Sequence, residues 1–306
     1  MSSGLVLIDK PSGWTSHDVV ARLRKLAGTR RVGHAGTLDP MATGLLLIGI
    51  NSATKLLTFL VGENKTYEAT IRLGAATITD DKESEFTTVA DPDQVRGLTR
   101  GQLEGALEAL RGPIEQVPSS VSAIKVDGQR AYAKVRSGDE VKLKARPVTI
   151  HRFEITGEPR LVTEGETVFL DFEAIIDCSS GTYIRALARD LGAALVVGGH
   201  LTALRRTEIG SYSIAQAQQL EGLTPESLEV LPIENAATQQ FPVRKLSAQE
   251  VIDLRHGKRL AVVAESEAIP TAAVDESGTL IAMLTKSGNA AKSLVVFAVA
   301  EEGEVD

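Results

Sequence analysis

Residues 33 to 46, GHAGTLDPMATGLL, constrain this chain more than any other stretch. Gly33, Gly36 and Gly44 lie within one short segment, where the backbone must turn or admit another segment closely. Between them stand His34 and Asp39. The ring of Pro40 biases Asp39 toward extended geometry, so its carboxylate is expected on a fixed loop, presented rather than packed. The same Asp-Pro pair also suits the N-cap and first position of a short helical turn. Pattern alone leaves both readings open.

The flanking segments predict a mixed α and β chain. Leu5 to Ile8 reads as a short buried strand. Thr15 with Asp18 forms a capping-box signal for a helix whose apolar stripe is Val19, Val20, Leu23, Leu26 and Ala27, stopped at Gly28. Arg22, Arg24 and Lys25 fall off that stripe and are free to face phosphates or water. Beyond the loop, Leu45 to Ile50 reads as a strand and Ala53 to Leu60 as a short helix. In KTYEATIRLG the apolar positions Tyr67, Ala69, Ile71 and Leu73 alternate with polar ones, as in a strand with one buried face. Tyr67 is then either a core tyrosine with a bonded hydroxyl or a ring at the entrance of a pocket.

Residues 74 to 98 are expected to form a long loop whose run Asp80, Asp81, Glu83 and Glu85 faces solvent. Thr99 and Gln102 open a second capped helix, which ends before Gly112 and Pro113. A further strand, Val168 to Ile176, leads to Cys178 and Gly181, followed by a helix with Ile184, Leu187, Ala188 and Leu191 inward. Arg185 sits in its first turn, where the macrodipole opposes a cation by about 0.3–1 kcal/mol. An anion, either a phosphate or a carboxylate, would compensate it; simple exposure would also serve.

Several runs, KTYEA around Tyr67 among them, resemble one family. GHAGTLDP is similar to the nucleophile loop of the bacterial tRNA pseudouridine-55 synthases, the TruB family, whose aspartate is catalytic. CSSGTYIR is similar to that family's Cys-Ser-x-Gly-Thr-Tyr-Ile-Arg motif, whose arginine pairs with that aspartate. VPSSVSAIKVDGQRAY resembles a further signature, here a strand, a turn at Asp127 and Gly128, and a helical stretch with Arg130, Lys134 and Arg136. The resemblance implies Asp39 as catalytic nucleophile, Arg185 as its partner and Tyr67 as a ring stacked on the target base. It places Tyr183 and, from GGHLTALRRTEIG, Leu204 in the uridine pocket, and gives His34 a steric or stacking role where loop bases leave the stack.

The implied fold is α+β: a pseudouridine-synthase domain over residues 1–238, with a central mixed, mainly antiparallel sheet flanked by helices, and a small PUA-like RNA-binding domain over 239–306. In that second part Leu246 to Leu254 reads as a helix, with short strands near Ala261 to Ala264, Gly278 and Gly288. The implied activity is isomerisation of uridine-55 in the T-loop of tRNA, with no cofactor and no metal, by a cytoplasmic monomer that meets the T-arm and no membrane.

Composition bears on this in three ways. One cysteine, Cys178, excludes an intramolecular disulfide framework and fits a reducing compartment. The stretch MSSGLVLIDKPSG has no basic n-region and too short an apolar run to be expected to act as a signal peptide, and runs such as LLLIGI are too short to span a bilayer. A net charge of −7 is unusual for an RNA enzyme, so cations must be concentrated locally. They gather at Arg22, Arg24, Lys25, Arg30 and Arg31 and at Arg205 and Arg206, while the tail Glu301, Glu302, Glu304 and Asp306 is acidic.

Chemically, an electron-poor glycosidic carbon calls for a carboxylate as nucleophile or charge stabiliser. Attack at C1′, attack at C6 and assisted elimination at C2′ all remain open. Rival readings are an RNA-folding factor with idle catalytic residues, a guide-RNA-dependent relative and a generic glycosidase. Walker A, G-x-G-x-x-G and G-x-S-x-G patterns are absent from the sequence.

Overall fold

The computed structural model describes residues 2–119, 125–126, 129–130, 143–263 and 269–297. Of the helical stretch expected at Arg130, Lys134 and Arg136, the last two lie outside the described residues, as does the acidic tail after residue 300. The chain divides into two compact units, residues 1–40, 44–61 and 210–306 in the first and 41–43 and 62–209 in the second.

In the first unit β1 (Gly4–Lys10) is buried along its whole length and leads into α1 (Ser16–Ala27). The capping box predicted at Thr15 is formed, with Asp18 at its third position, and Gly28 ends the helix in the left-handed region. β2 (Val32–Ala35) and β1 both pair antiparallel with β3 (Thr43–Ile50). Val19, Val20, Leu23 and Ala27 of α1 pack against Val6, Ile8, Leu46, Ile48 and Ile50. Burying each valine, leucine or isoleucine among them contributes about 1.5–3 kcal/mol.

The second unit is built on an antiparallel sheet. β4 (Lys65–Leu73) has the predicted alternation, with Tyr67, Ala69, Ile71 and Leu73 buried. The segment expected to be a loop is not one. It forms a hairpin of β5 (Ala75–Thr77) and β6 (Phe86–Val89) and a short helix at Pro92–Arg96. Helix α2 (Arg100–Glu108) starts at the Thr99–Gln102 box. β7 (Gly112–Gln116), β8 (Arg146–Ile155), β9 (Arg160–Glu164) and β10 (Thr167–Cys178) follow, then α3 (Ile184–Ala194) and β11 (Gly199–Ile209). β4 lies between β10 and β11; β10 pairs also with β8, and β8 with β7. In the VPSSVSAIKVDGQRAY run, Lys125–Val126 and Gln129–Arg130 pair antiparallel, so Arg130, expected in the helical stretch, stands in a strand instead, its backbone paired across the hairpin with Lys125.

The C-terminal residues build a separate five-stranded sheet, in the order 243–245, 271–274, 280–287, 290–296 and 260–261. Helix α4 (Ala248–Arg255), capped by Ser247, packs Leu254 into its core with Leu246, Ile281 and Leu284. Ile8 and Asp9 pair parallel with 218–219, and 243–245 with 271–274; the pairings named above are antiparallel. Among the described residues no helix is long and apolar enough to cross a membrane.

Candidate active site

The six residues singled out from the sequence divide between the units. His34 and Asp39 belong to the first; Tyr67, Tyr183, Arg185 and Leu204 belong to the second.

Asp39 caps no helix. After it the chain makes a turn at Pro40 and Met41 and enters β3, which decides against the helical-turn reading. The loop is instead fastened on both sides of Asp39. Before it, the buried Ser16 hydroxyl accepts from the Leu38 N–H at 2.9 Å and donates to the Leu38 carbonyl at 3.2 Å. After it, the Pro40 carbonyl accepts from the Gly13 N–H at 2.8 Å and from the Lys10 ammonium at 3.3 Å. Lys10 is fully buried, and its Nζ also donates to the carbonyls of Pro11 at 3.0 Å and Trp14 at 2.7 Å. An ammonium has three donors, and spending them on backbone carbonyls offsets its desolvation while tying β1, the turn before α1 and the Asp39 loop together. Of the glycines in this segment, Gly36 at φ 78° and Gly44 at φ 102° have the positive φ that a Cβ disfavours. His34, on β2, meets the ring of His17 edge-on with centroids 5.6 Å apart.

In the second unit Tyr67 pairs with Arg206, and Ala69 with Leu204, across β4 and β11. Tyr67 and Leu204 therefore stand on one face of adjacent strands, one pair apart, and both are buried. Tyr183 precedes α3, and its backbone is gripped twice by the buried Gln116 side chain: its N–H donates to Oε1 at 2.8 Å and its carbonyl accepts from Nε2 at 3.1 Å.

Arg185 is 5% exposed and has the anion that its helical position requires. Its Nη1 lies 3.4 Å from Asp81 Oδ2 and donates to the Thr79 carbonyl at 2.8 Å. Asp81, 2% exposed, accepts further from the Glu83 N–H at 3.0 Å and the Thr79 hydroxyl. Behind it the Asp80 carboxylate accepts from the Ser119 hydroxyl at 2.6 Å and from Arg189 at 3.2 Å. Burial pushes the Asp80 carboxyl above its usual range, against the opposing pull of Ser119 and Arg189. The predicted solvent-facing acidic run is thus corrected at its first two members. Asp80 and Asp81 are buried because two arginines of α3 and three hydroxyl or amide donors meet them.

Family profiles match almost the whole chain. The one described as TruB family pseudouridylate synthase (N terminal domain) covers residues 24–184. The tRNA pseudouridylate synthase B C-terminal domain covers 185–235, and the tRNA Pseudouridine synthase II C-terminal part covers 241–298. The chain belongs to the TruB family of pseudouridine synthases. Curated TruB relatives named tRNA pseudouridine synthase B include those of Arthrobacter sp. (strain FB24), 55% identical over 99% of both chains, and Paenarthrobacter aurescens (strain TC1), 56% identical over 97% of this chain and 96% of its own. Among solved structures, a Cbf5-Nop10-Gar1 complex superposes with a TM-score of 0.71 at 24% identity, over 96% of this chain and 85% of that one. An H/ACA RNP bound to a substrate RNA containing 2′-deoxyuridine gives 0.68 at 23%, over 97% and 85%. These likenesses bear out the pseudouridine-synthase fold expected from the sequence.

Several residues of this TruB chain that shape the site carried no legible signal. Lys10, Ser16, Gln116 and Asp81 act through partners 22 to 104 positions away, as the Ser16–Leu38 and Asp81–Arg185 contacts show. The expected basic surface loses Arg206, which is buried, while Arg22 and Arg24 stay accessible with one N–H each on a carbonyl, that of Leu223 for Arg22 and that of Val32 for Arg24.

Proposed function

We propose that this chain isomerises uridine-55 in the T-loop of tRNA to pseudouridine, with Asp39 as the nucleophile on a flipped-out uridine. The observation that carries the reading is the identity of 55–56% over nearly full length to proteins named tRNA pseudouridine synthase B, together with the fastened Asp39 loop. The reaction breaks the C1′–N1 bond, turns the uracil and joins C1′ to C5; N1 gains a proton and C5 releases one, so composition is unchanged. Asp39 supplies the negative charge at the electron-poor sugar, an aspartate being ionised at neutral pH. Arg185, oriented by Asp81 and Thr79, is its counter-charge. Tyr67 stacks on the uracil and relays the departing C5 proton, its hydroxyl taking that proton as it gives up its own, while Tyr183 and Leu204 bound the pocket and His34 supports the opened loop. Extruding the base costs a few kcal/mol, recovered by stacking and phosphate contacts. Residues 239–306 form the RNA-binding appendage to a catalytic part over 1–238, and the protein works as a cytoplasmic monomer.

The test is tritium release from a T-arm transcript labelled at uridine C5, because the product has the mass of the substrate. Release by the unaltered protein and none by Asp39→Asn, with RNA binding retained, is expected. Binding without release by either would leave an RNA-folding factor with an idle aspartate.

A further inference from the structure

We infer that the open groove beside Trp14 is an additional RNA-contact surface, in which a nucleobase of the substrate stacks on the indole while neighbouring phosphates meet Arg22 and Lys25. The inference rests on the reading that the substrate is RNA. Gly13, Trp14, Asp18, Ala21, Arg22 and Lys25 line this groove of about 400 Å³. Trp14 is the chain's single tryptophan and is 36% exposed. The four helical residues follow the three- and four-residue spacing that puts side chains on one face of α1.

Its charge is cationic in a chain of net charge −7. The one carboxylate in the lining, Asp18, is engaged by the backbone N–H of Thr15 at 2.9 Å and by the Thr15 hydroxyl at 2.6 Å. Those neutral donors fix the Asp18 carboxylate without cancelling its charge, so the lining carries one net positive charge, from Lys25, which is exposed, and Arg22, which gives one N–H to the Leu223 carbonyl and has further donors, against Asp18. An aromatic platform flanked by cations suits a polyanion with π-faced bases, since stacking tolerates any base while the cations track phosphates.

The groove is also coupled to Asp39. Lys10 Nζ bonds the carbonyls of both Trp14 and Pro40, and the Gly13 N–H bonds the Pro40 carbonyl at 2.8 Å. A base seated on Trp14 therefore sets the register of the RNA against the Asp39 loop through one bonded turn. The groove is a positioning surface, outside the pocket residues named above.

Because Trp14 is the single tryptophan, its emission reports this contact without a label. Full-length Asp39→Asn protein, which holds RNA without turnover, is titrated with a T-arm stem-loop whose binding is followed independently by anisotropy. Saturable quenching with the same midpoint is expected. In the otherwise unaltered protein, Trp14→Leu raises KM for tritium release about tenfold with kcat retained, and Trp14→Phe recovers most of the loss. Lys25→Ala lowers the slope of log affinity against log salt by about 1. Binding without quenching, together with unchanged kinetics for Trp14→Leu at an unchanged melting temperature, would overturn the inference and leave the groove to a protein partner. Quenching is read without catalysis, so RNA binding with no pseudouridine formed would refute the proposed reaction and still decide this point.

Discussion

Ser16→Ala removes one oxygen and tests whether the Asp39 loop is held in place or merely rests there. Ser16 is 1% exposed, and its hydroxyl makes both polar contacts of the Leu38 backbone, at 2.9 and 3.2 Å. If the loop stayed put, a buried N–H and a buried carbonyl would lose their partner, at about 1–3 kcal/mol each. The loop escapes most of that by shifting toward water, limited by the Leu38 side chain, which is 4% exposed, and by the Pro40 contacts to Gly13 and Lys10. A net loss of about 2 kcal/mol is expected, read as a fall of about 4–8 °C in melting temperature. The larger effect falls on chemistry, because a displacement of about 1 Å in a reacting group costs on the order of 100-fold. Single-turnover tritium release from the T-arm substrate should slow about 10- to 100-fold, with RNA affinity within a factor of about two. An unchanged rate in a protein destabilised by about 2 kcal/mol would refute the reasoning, since the hydroxyl would then support the fold without aiming Asp39.

Asp81→Asn leaves the buried Arg185 guanidinium without the charge that faces it at 3.4 Å, while the Thr79 carbonyl remains as acceptor. Breaking a buried pair costs about 3–5 kcal/mol at most; with the remaining contact, a loss of about 2–3 kcal/mol in urea unfolding and at least a tenfold fall in kcat are expected, and wild-type values on both would remove Asp81 from the account. Lys65 provides a pH test. Burial, reinforced by Arg206, lowers its ammonium to about 8, so between pH 8 and the ordinary lysine range the unfolded chain binds the extra proton and folding is favoured as pH rises. The Cys178 thiol, pushed up to about 11 mainly by burial, works in the opposite direction above pH 9. Calorimetry should accordingly show Lys65→Met most favoured relative to wild type near pH 7, with the advantage shrinking toward pH 10; a difference independent of pH would show that the buried ammonium carries no such penalty.

What the sequence alone determined was set by short-range physics. The boxes at Thr15–Asp18 and Thr99–Gln102 close within three residues, Gly28 stops α1 by its own freedom at positive φ, and the alternation from Tyr67 to Leu73 needs only a period of two. The resemblance of the loop around Asp39 likewise lay within a dozen residues. The tertiary structure alone decided which charges are inside. Asp80 and Asp81 look like surface in a hydrophilic run, and become interior because Ser119, Arg185 and Arg189 arrive from 39 to 109 positions away to replace water. Lys10 follows the same rule: beside a proline it reads as the end of a strand, and only the folded chain brings the Pro40 carbonyl, 30 residues on, to its ammonium. A hydrogen bond within a turn is written in neighbouring letters, whereas the burial of a charge depends on a partner that only the fold can supply.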